Sequence, residues 1–319
     1  MKTITKKDVN VVKNKLNLNK KSKILNVSHY GCLDGSTSSI PIYNTCDNVN
    51  YIRAKFSNIN EIANNIDYNK YDVVLFTDIS PDDSSIIKDK TNVIVLDHHE
   101  SGLSNHDPDN MRFVYIGECG AILTKKFISM YFDVDLSYLD DLCKYVNDYD
   151  MWEDPYGTSW FFNLIHYYYL RKDKFTHTKF IQRFANGNIE FNEEEKTHIE
   201  KRKTELEDNW ERVKNDYFDL PNNINGALIW ERDFVNEIAH RLMEEFKLDI
   251  VVNKNPKSFQ ASVRCETENV PIGDILRTLE LGGGHDNAGG FNDENIIDFK
   301  NNLEKLCKHL YDNYEQLRV

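Results

Sequence analysis

The chain has 319 residues, 40% of them hydrophobic and 29% charged, and carries a formal charge of -13 at pH 7. That length exceeds one typical domain and can bury a sizeable core, so two domains sharing a cleft is the expected organisation. Acidity of this size argues against a surface that grips long duplex nucleic acid, and no run approaches the roughly 18 apolar residues of a membrane span.

Six cysteines, Cys32, Cys46, Cys119, Cys143, Cys265 and Cys307, are scattered without a CxxC pair. This is the usage of reduced thiols in a cytoplasmic protein, not of a disulfide framework. The opening MKTITKKDVN is polar and basic and lacks the apolar core of a secretory signal.

A short amphipathic helix is predicted over 7–18, after which KILNVS (23–28) reads as a buried strand. Its continuation, HYGCLDGSTSS, puts His29, Cys32 and Asp34 in a strand-to-helix loop, where Gly35 and the small residues Ser36 to Ser39 permit close approach at a helix start. A strand over Val49–Ala54 and a helix in NINEIANNI follow, and DVVLFTD (72–78) is a third strand, ending in Asp78. The fourth, Val93–Leu96, is an unbroken apolar run of the kind found in central parallel strands covered on both faces. It ends in Asp97, His98 and His99. Open parallel sheets collect ligands beyond the carboxyl ends of their strands, so these polar residues fall at one edge. Two imidazoles beside converging carboxylates are a metal-site pattern.

A short strand over Phe113–Ile116 leads to a helix from about Gly120, and 136–149 has the spacing of an amphipathic helix. Its end, NDYDMWEDP, offers Asp148 and Asp150 either to the sheet edge or to solvent. The aromatic stretch from Trp160 to Tyr169 reads as core packing rather than a base-stacking platform. A long charged helix over 192–217 is a candidate connector. From Leu220 onward the pattern is strand (GALIWE), helix (NEIAHRLMEEF), strand (DIVVNK), a strand around Ser262 to Arg264, the stretch LGGGHDNAGGF and a final helix over 295–312. The glycines ahead of His285 predict a loop whose amides face an anion.

In order and spacing, HYGCLDG, FTDIS, LDHHE and NDYDMW, then SVR and GGGHDNAGG, resemble the motifs of the DHH phosphoesterase superfamily. The resemblance is to the group with a C-terminal DHH-associated domain, which includes RecJ-like exonucleases, nano-RNases and oligoribonucleases, and it spans nearly the whole chain. It implies an α/β protein: an N-terminal doubly wound parallel-sheet domain over 1–190 that binds metal and carries catalysis, a helical linker over 191–219, and a smaller α/β substrate-binding domain over 220–319. It also implies a two-metal phosphoesterase, usually with two manganese ions, magnesium or another divalent ion being the alternative. Carried over by position, Asp78 is the bridging ligand. Asp34, His98 and Asp148 bind one metal, Asp148 being preferred to Asp150, and His29 serves the other. His99 faces the scissile phosphate, and Asp97 orients the histidines. Arg264, His285 and the amides of Gly283 and Gly284 hold the substrate phosphate.

One departure stands out. The family's first motif usually carries two aspartates as DxD, and here Cys32 takes the place of the first. A thiolate is softer than a carboxylate and suits zinc better than manganese. Cys32 is therefore read either as a ligand or as a small buried thiol, and the metal at His29 as weak, different or absent at rest.

The expected activity is metal-dependent hydrolysis of phosphodiester bonds in short oligonucleotides or in linear or cyclic dinucleotides. Water activated near Asp78 attacks phosphorus while His99 hydrogen-bonds the phosphate or leaving group. The alternatives are a RecJ-like single-strand exonuclease, a polyphosphate or nucleoside bisphosphate phosphatase, and a catalytically silent nucleotide-binding module. No membrane or long-duplex partner is expected, and a homodimer is compatible with the sequence.

Overall fold

The computed structural model describes residues 3–153, 157–172, 176–267, 269–284 and 287–319. The contacts divide the chain into two units, Met1–Ile199 and Glu200–Val319. Among the described residues no helix is long and apolar enough to cross a membrane.

In the first unit, β1 (Ile24–His29), β2 (Val49–Ala54), β3 (Val73–Thr77), β4 (Val93–Asp97) and β5 (Arg112–Val114) form a sheet in the order β2-β1-β3-β4-β5, every pairing parallel. Alternate residues of each strand feed different cores. Val73, Leu75, Ile94 and Leu96 pack on one face with Ile40, Leu123, Phe127, Leu142 and Phe162, all from helices. Val74, Phe76, Val93 and Val95 pack on the other with Ile59, Ala63 and Ile87. Both faces are thus covered, which is why the central strands β3 and β4 are continuously apolar rather than alternating. The chain runs from β1 outward to β2 and then returns to β3 on the far side of β1. The carboxyl ends of β1 and β3 therefore flank the point where the winding reverses, the usual place for a ligand in such sheets.

The second unit has a six-stranded mixed sheet, β10-β11-β9-β8-β7-β6, made of β6 (Phe218–Asp219), β7 (Gly226–Ile229), β8 (Ile250–Lys254), β9 (Gln260–Cys265), β10 (Gly282–Gly284) and β11 (Ala288–Asn292). Only β7 and β8 pair in parallel. Val252, Val263 and Phe291 from the sheet pack on Leu276 and on Phe299, Leu306 and Leu310 of the closing helix Ile296–Asn313. Asn295 caps that helix, its side-chain oxygen accepting from the amides of Ile297 and Asp298.

Two sequence expectations are revised, the helix start and the glycine-rich segment, and the aromatic stretch packs in the core largely as expected. The helix predicted over 136–149 begins at Asp140, because Asp135 accepts from the Ser137 amide and holds 137–139 in a 3-10 turn. The aromatic stretch is the helix Thr158–Lys172, with Trp160 and Phe162 buried and Tyr167 exposed. The glycine-rich segment is a hairpin rather than an open loop. A Cβ on Gly282 would lie 2.0 Å from the Gly290 carbonyl oxygen, and one on Gly284 2.2 Å from that of Ala288. Here glycine lets two strands approach.

Candidate metal centre

Four segments deliver polar side chains to the carboxyl edge of the first sheet. His29 ends β1, Asp34 lies in the short helix Leu33–Thr37 that follows, Asp78 stands directly after β3, and Asp97, His98 and His99 close β4. The fourth segment is the end of the helix Asp140–Asp150.

Asp78 has φ +59, in the left-handed region that aspartate enters more readily than most non-glycine residues. Its amide still donates to the Leu96 carbonyl at 3.0 Å, so the turn remains tied to β4. Both oxygens of Asp34 are held by the start of the helix Gly120–Phe132: Gly120 N donates to Oδ2 at 2.6 Å and Ala121 N to Oδ1 at 2.7 Å. The first amides of a helix lack partners within it and carry its positive end, which favours a carboxylate there. Gly120 is required by space, since a Cβ would stand 2.8 Å from the Cβ of Asp78 and 2.9 Å from Asp34 Oδ2.

Asp97 faces inward. Its Oδ1 accepts from the His98 amide at 2.8 Å and from His99 Nδ1 at 2.8 Å, and its Oδ2 accepts from Ser80 Oγ at 2.6 Å. This fixes the proton of His99 on Nδ1 and sets both ring orientations. Its ionised form wins over burial because His99 supplies charge and a hydrogen bond, so its pKa is lowered.

The centre itself is crowded with carboxylates. His98 Nε2 lies 3.1 Å from Asp78 Oδ1, 3.3 Å from Asp150 Oδ2 and 3.7 Å from Asp34 Oδ2. A single ring nitrogen carries one proton and cannot satisfy three acceptors. The other oxygen of Asp78, Oδ2, lies 3.6 Å from His29 Nδ1, and both of these buried atoms lack a hydrogen-bond partner. Three sets of donors lie within 4.8 Å of one another: His29, Cys32 and Asp78; Asp78, His98 and His99; Asp34, His98 and Asp150.

The electrostatics follow from burial among like charges. Burial, then Asp78 and Asp150, push the Asp34 carboxyl well above its ordinary value, and burial also raises Asp150. Asp78 is held well below the usual range in spite of burial, by the close approach of His29, a hydrogen bond with His98 and the nearby His99. Burial disfavours a charged His98, but Asp150, Asp78 and Asp34 outweigh it and lift the imidazole to about 10. Burial followed by Asp78, Asp150 and Asp34 pushes the Cys32 thiol up. Excess negative potential, orphaned buried donors and an O/N donor set fit divalent cations.

Of the residues picked from sequence, His29, Cys32, Asp34, Asp78, Asp97, His98 and His99 come together. Asp148 does not; Asp150 takes its place. Residues two apart on a helix point about 200° apart, so only one can face the cluster, and here it is the last helical residue. Ser80 was missed although it stands inside FTDIS, and Gly120 carried only the signal of a helix start. Phe56 follows β2 and sets its ring edge-on to His29 (4.6 Å) and His99 (5.1 Å), with no motif to announce it. In the second unit, Arg264 lies on β9 opposite Ala288 and donates to Asn236 Oδ1 and the Val263 carbonyl. Gly283 and Gly284 lie in β10, and His285 falls outside the described residues.

Behind the His29 to Cys32 segment sits a second polar cluster. Gly31 N donates to His177 Nε2 at 3.4 Å, the His177 Nδ1 meets Ser36 Oγ, and Ser36 Oγ meets His166 Nε2 at 2.8 Å. Tyr167 Oη donates to the Gly31 carbonyl at 3.0 Å, so the loop is tied through both its amide and its carbonyl.

No protein-family model matches the chain, and no curated protein matches it in sequence. Solved structures do. RecJ from Thermus thermophilus, determined with Mn2+, is similar over 95% of this chain at 13% identity and a TM-score of 0.59; this chain spans 54% of that one. An exopolyphosphatase-related protein from Bacteroides fragilis is similar over 98% of this chain and 99% of its own, at 16% identity and a TM-score of 0.56. The pGpG-specific phosphodiesterase PggH from Vibrio cholerae is similar over 91% and 99%, at 12% identity and a TM-score of 0.55. The chain has the fold of these proteins, an α/β fold as the motif resemblance implied.

Proposed function

We propose that this protein is a DHH-superfamily phosphodiesterase that uses two divalent cations to hydrolyse short oligonucleotides or dinucleotides. The observation that carries the reading is the division of Asp78: one oxygen faces His98 among three carboxylates, and the other faces His29, with no hydrogen-bond partner. A carboxylate so placed suits a bridge between two cations. Asp34, His98 and Asp150 would complete one set of ligands, and His29 with Cys32 the other. Two such ions, when bound, would supply an activated water and charge neutralisation at the phosphate and the leaving oxygen.

The chain's own residues do the rest. Asp97 accepts from His99 Nδ1 and orients its ring at the site; with Nε2 protonated as well, His99 would donate from that nitrogen to the phosphate or the leaving oxygen. The ring of Phe56 packs edge-on against both histidines and helps to hold their orientation. Arg264 and the hairpin of the second unit are our candidates for holding substrate phosphate and limiting substrate length. The net charge of -13 disfavours long polyanions, and the scattered thiols suit the cytoplasm. Manganese is our choice of metal, RecJ having been determined with it. Polyphosphate is the second reading, favoured by the end-to-end similarity to the exopolyphosphatase-related protein.

The test is a panel of pGpG, RNA and DNA of two to ten residues, and polyphosphate, each with manganese. The reading expects the shortest phosphodiesters to be turned over fastest and Asp78→Asn to abolish turnover. Exclusive cleavage of polyphosphate would give the second reading, and no hydrolysis with metal bound would leave a binding module.

A further inference from the structure

We propose that the two ion positions differ in kind: the one between His29, Cys32 and Asp78 is a thiolate centre selective for a soft divalent ion such as zinc, and the one at Asp34, His98 and Asp150 a hard centre. The proposal rests on the two-cation reading and adds the chemistry of each position. The first set contains sulfur, nitrogen and oxygen donors mutually within 4.8 Å; the other two sets contain only nitrogen and oxygen. Asp78 is fully buried and its Oδ2 has no hydrogen-bond partner, nor does His29 Nδ1. Their separation is 3.6 Å. Zinc bonds of about 2.0–2.2 Å to nitrogen and oxygen place tetrahedral ligands roughly 3.4 Å apart, so the pair is already near that spacing.

Cys32 supplies the third donor from the loop between β1 and the helix Leu33–Thr37. On loading, the Sγ–H bond is exchanged for an Sγ–metal bond and the proton leaves to water, with no change of oxidation state. The other set, two carboxylates and an imidazole, suits manganese or magnesium, and softness of the donors decides between such ions where affinity alone would not. The shared Asp78 then bridges unlike ions.

Cobalt(II) reads the difference directly, because thiolate ligation adds a sulfur-to-metal charge-transfer band in the near ultraviolet. The full chain, stripped with chelator and titrated with cobalt alone, is expected to bind two equivalents, one of which gives the band. Cys32→Ser should lose the band and keep the second equivalent, whereas Cys119→Ala should keep both. In competition, Cys32→Asp should shift the choice of manganese over zinc at this position by about tenfold or more. Two cobalt ions bound by the unaltered protein without the band would overturn the thiolate centre and leave the two-cation reading standing, and no cobalt uptake would overturn both. A band that survives in folded Cys32→Ser would also sink the assignment. Since the first measurement needs no variant, a substitution that fails to fold does not rescue it.

Discussion

At the scale of single residues, the centre is governed by which carboxylates reach His98. Asp150 does so at 3.3 Å, and its neighbour two places earlier does not. Asp150→Asn should therefore lower manganese affinity and kcat/KM together, by roughly ten- to a hundredfold, while Asp148→Asn stays within about twofold. Parallel metal titration and steady-state kinetics on the two variants check this; equal losses would show that the end of the helix is arranged differently. Most of this centre was legible in the sequence because LDHHE and FTDIS each attach polar residues to the end of an apolar strand, so chemistry and position are written together. Asp150 was harder to read. Its selection depends on the phase of a helix whose start was misjudged by four residues, and NDYD offers two aspartates to either phase.

At the scale of elements, the helix Gly120–Phe132 acts as a clamp. Its first amides hold Asp34, and Gly120 lets it rest against Asp78. Gly120→Ala should cost about 1–3 kcal/mol of stability, as overpacking of a filled interior does, here against Asp78 and Asp34. It should weaken metal uptake as well, because the displaced atoms belong to two ligands. A urea midpoint and a manganese titration on the same preparation separate the effects; a stable variant with unchanged uptake would mean the clamp is unnecessary. The central strands β3 and β4 were legible as apolar runs feeding two cores, but the hairpin of β10 and β11 was not. Five glycines in nine residues signal close approach without saying whether an anion or another strand is what approaches.

At the scale of the whole molecule, acidity acts through the buried histidines behind the centre. Burial, followed by nearby Arg53, holds His166 down to about 3 and His177 down to about 2, against an ordinary 6.5. Both remain neutral when folded, whereas the unfolded chain takes up protons as pH falls below 6.5. Stability is therefore lost on acidification, by up to ~1.4 kcal/mol per pH unit for each histidine. With metal removed by chelator, His177→Gln should flatten the fall in urea-unfolding free energy between pH 6.5 and 5 by about that slope. Identical slopes would place the acid sensitivity elsewhere. The two units also make a functional prediction. Arg264→Ala should impair short oligonucleotides about ten- to a hundredfold while sparing a small activated phosphodiester, since a lost charge-assisted contact removes roughly 1.5–3 kcal/mol of binding. Equal losses on both substrates would put Arg264 in the chemical step. The two-part organisation was legible from the order of motifs, and the division at position 200 falls within the continuous helix Glu193–Val213, in the segment expected as the helical linker.

The donors of the centre come from positions as distant as 29 and 150, on three parallel strands and a helix end, and parallel strands can pair only after the intervening crossover is in place. Early in folding there is no partial site for an ion to grip. Ions added to the refolding chain should leave the folding rate nearly unchanged and slow unfolding instead, because their contacts form after the transition state. Bound cations would then act as a late latch: the protein folds without them and, once loaded, lets go slowly.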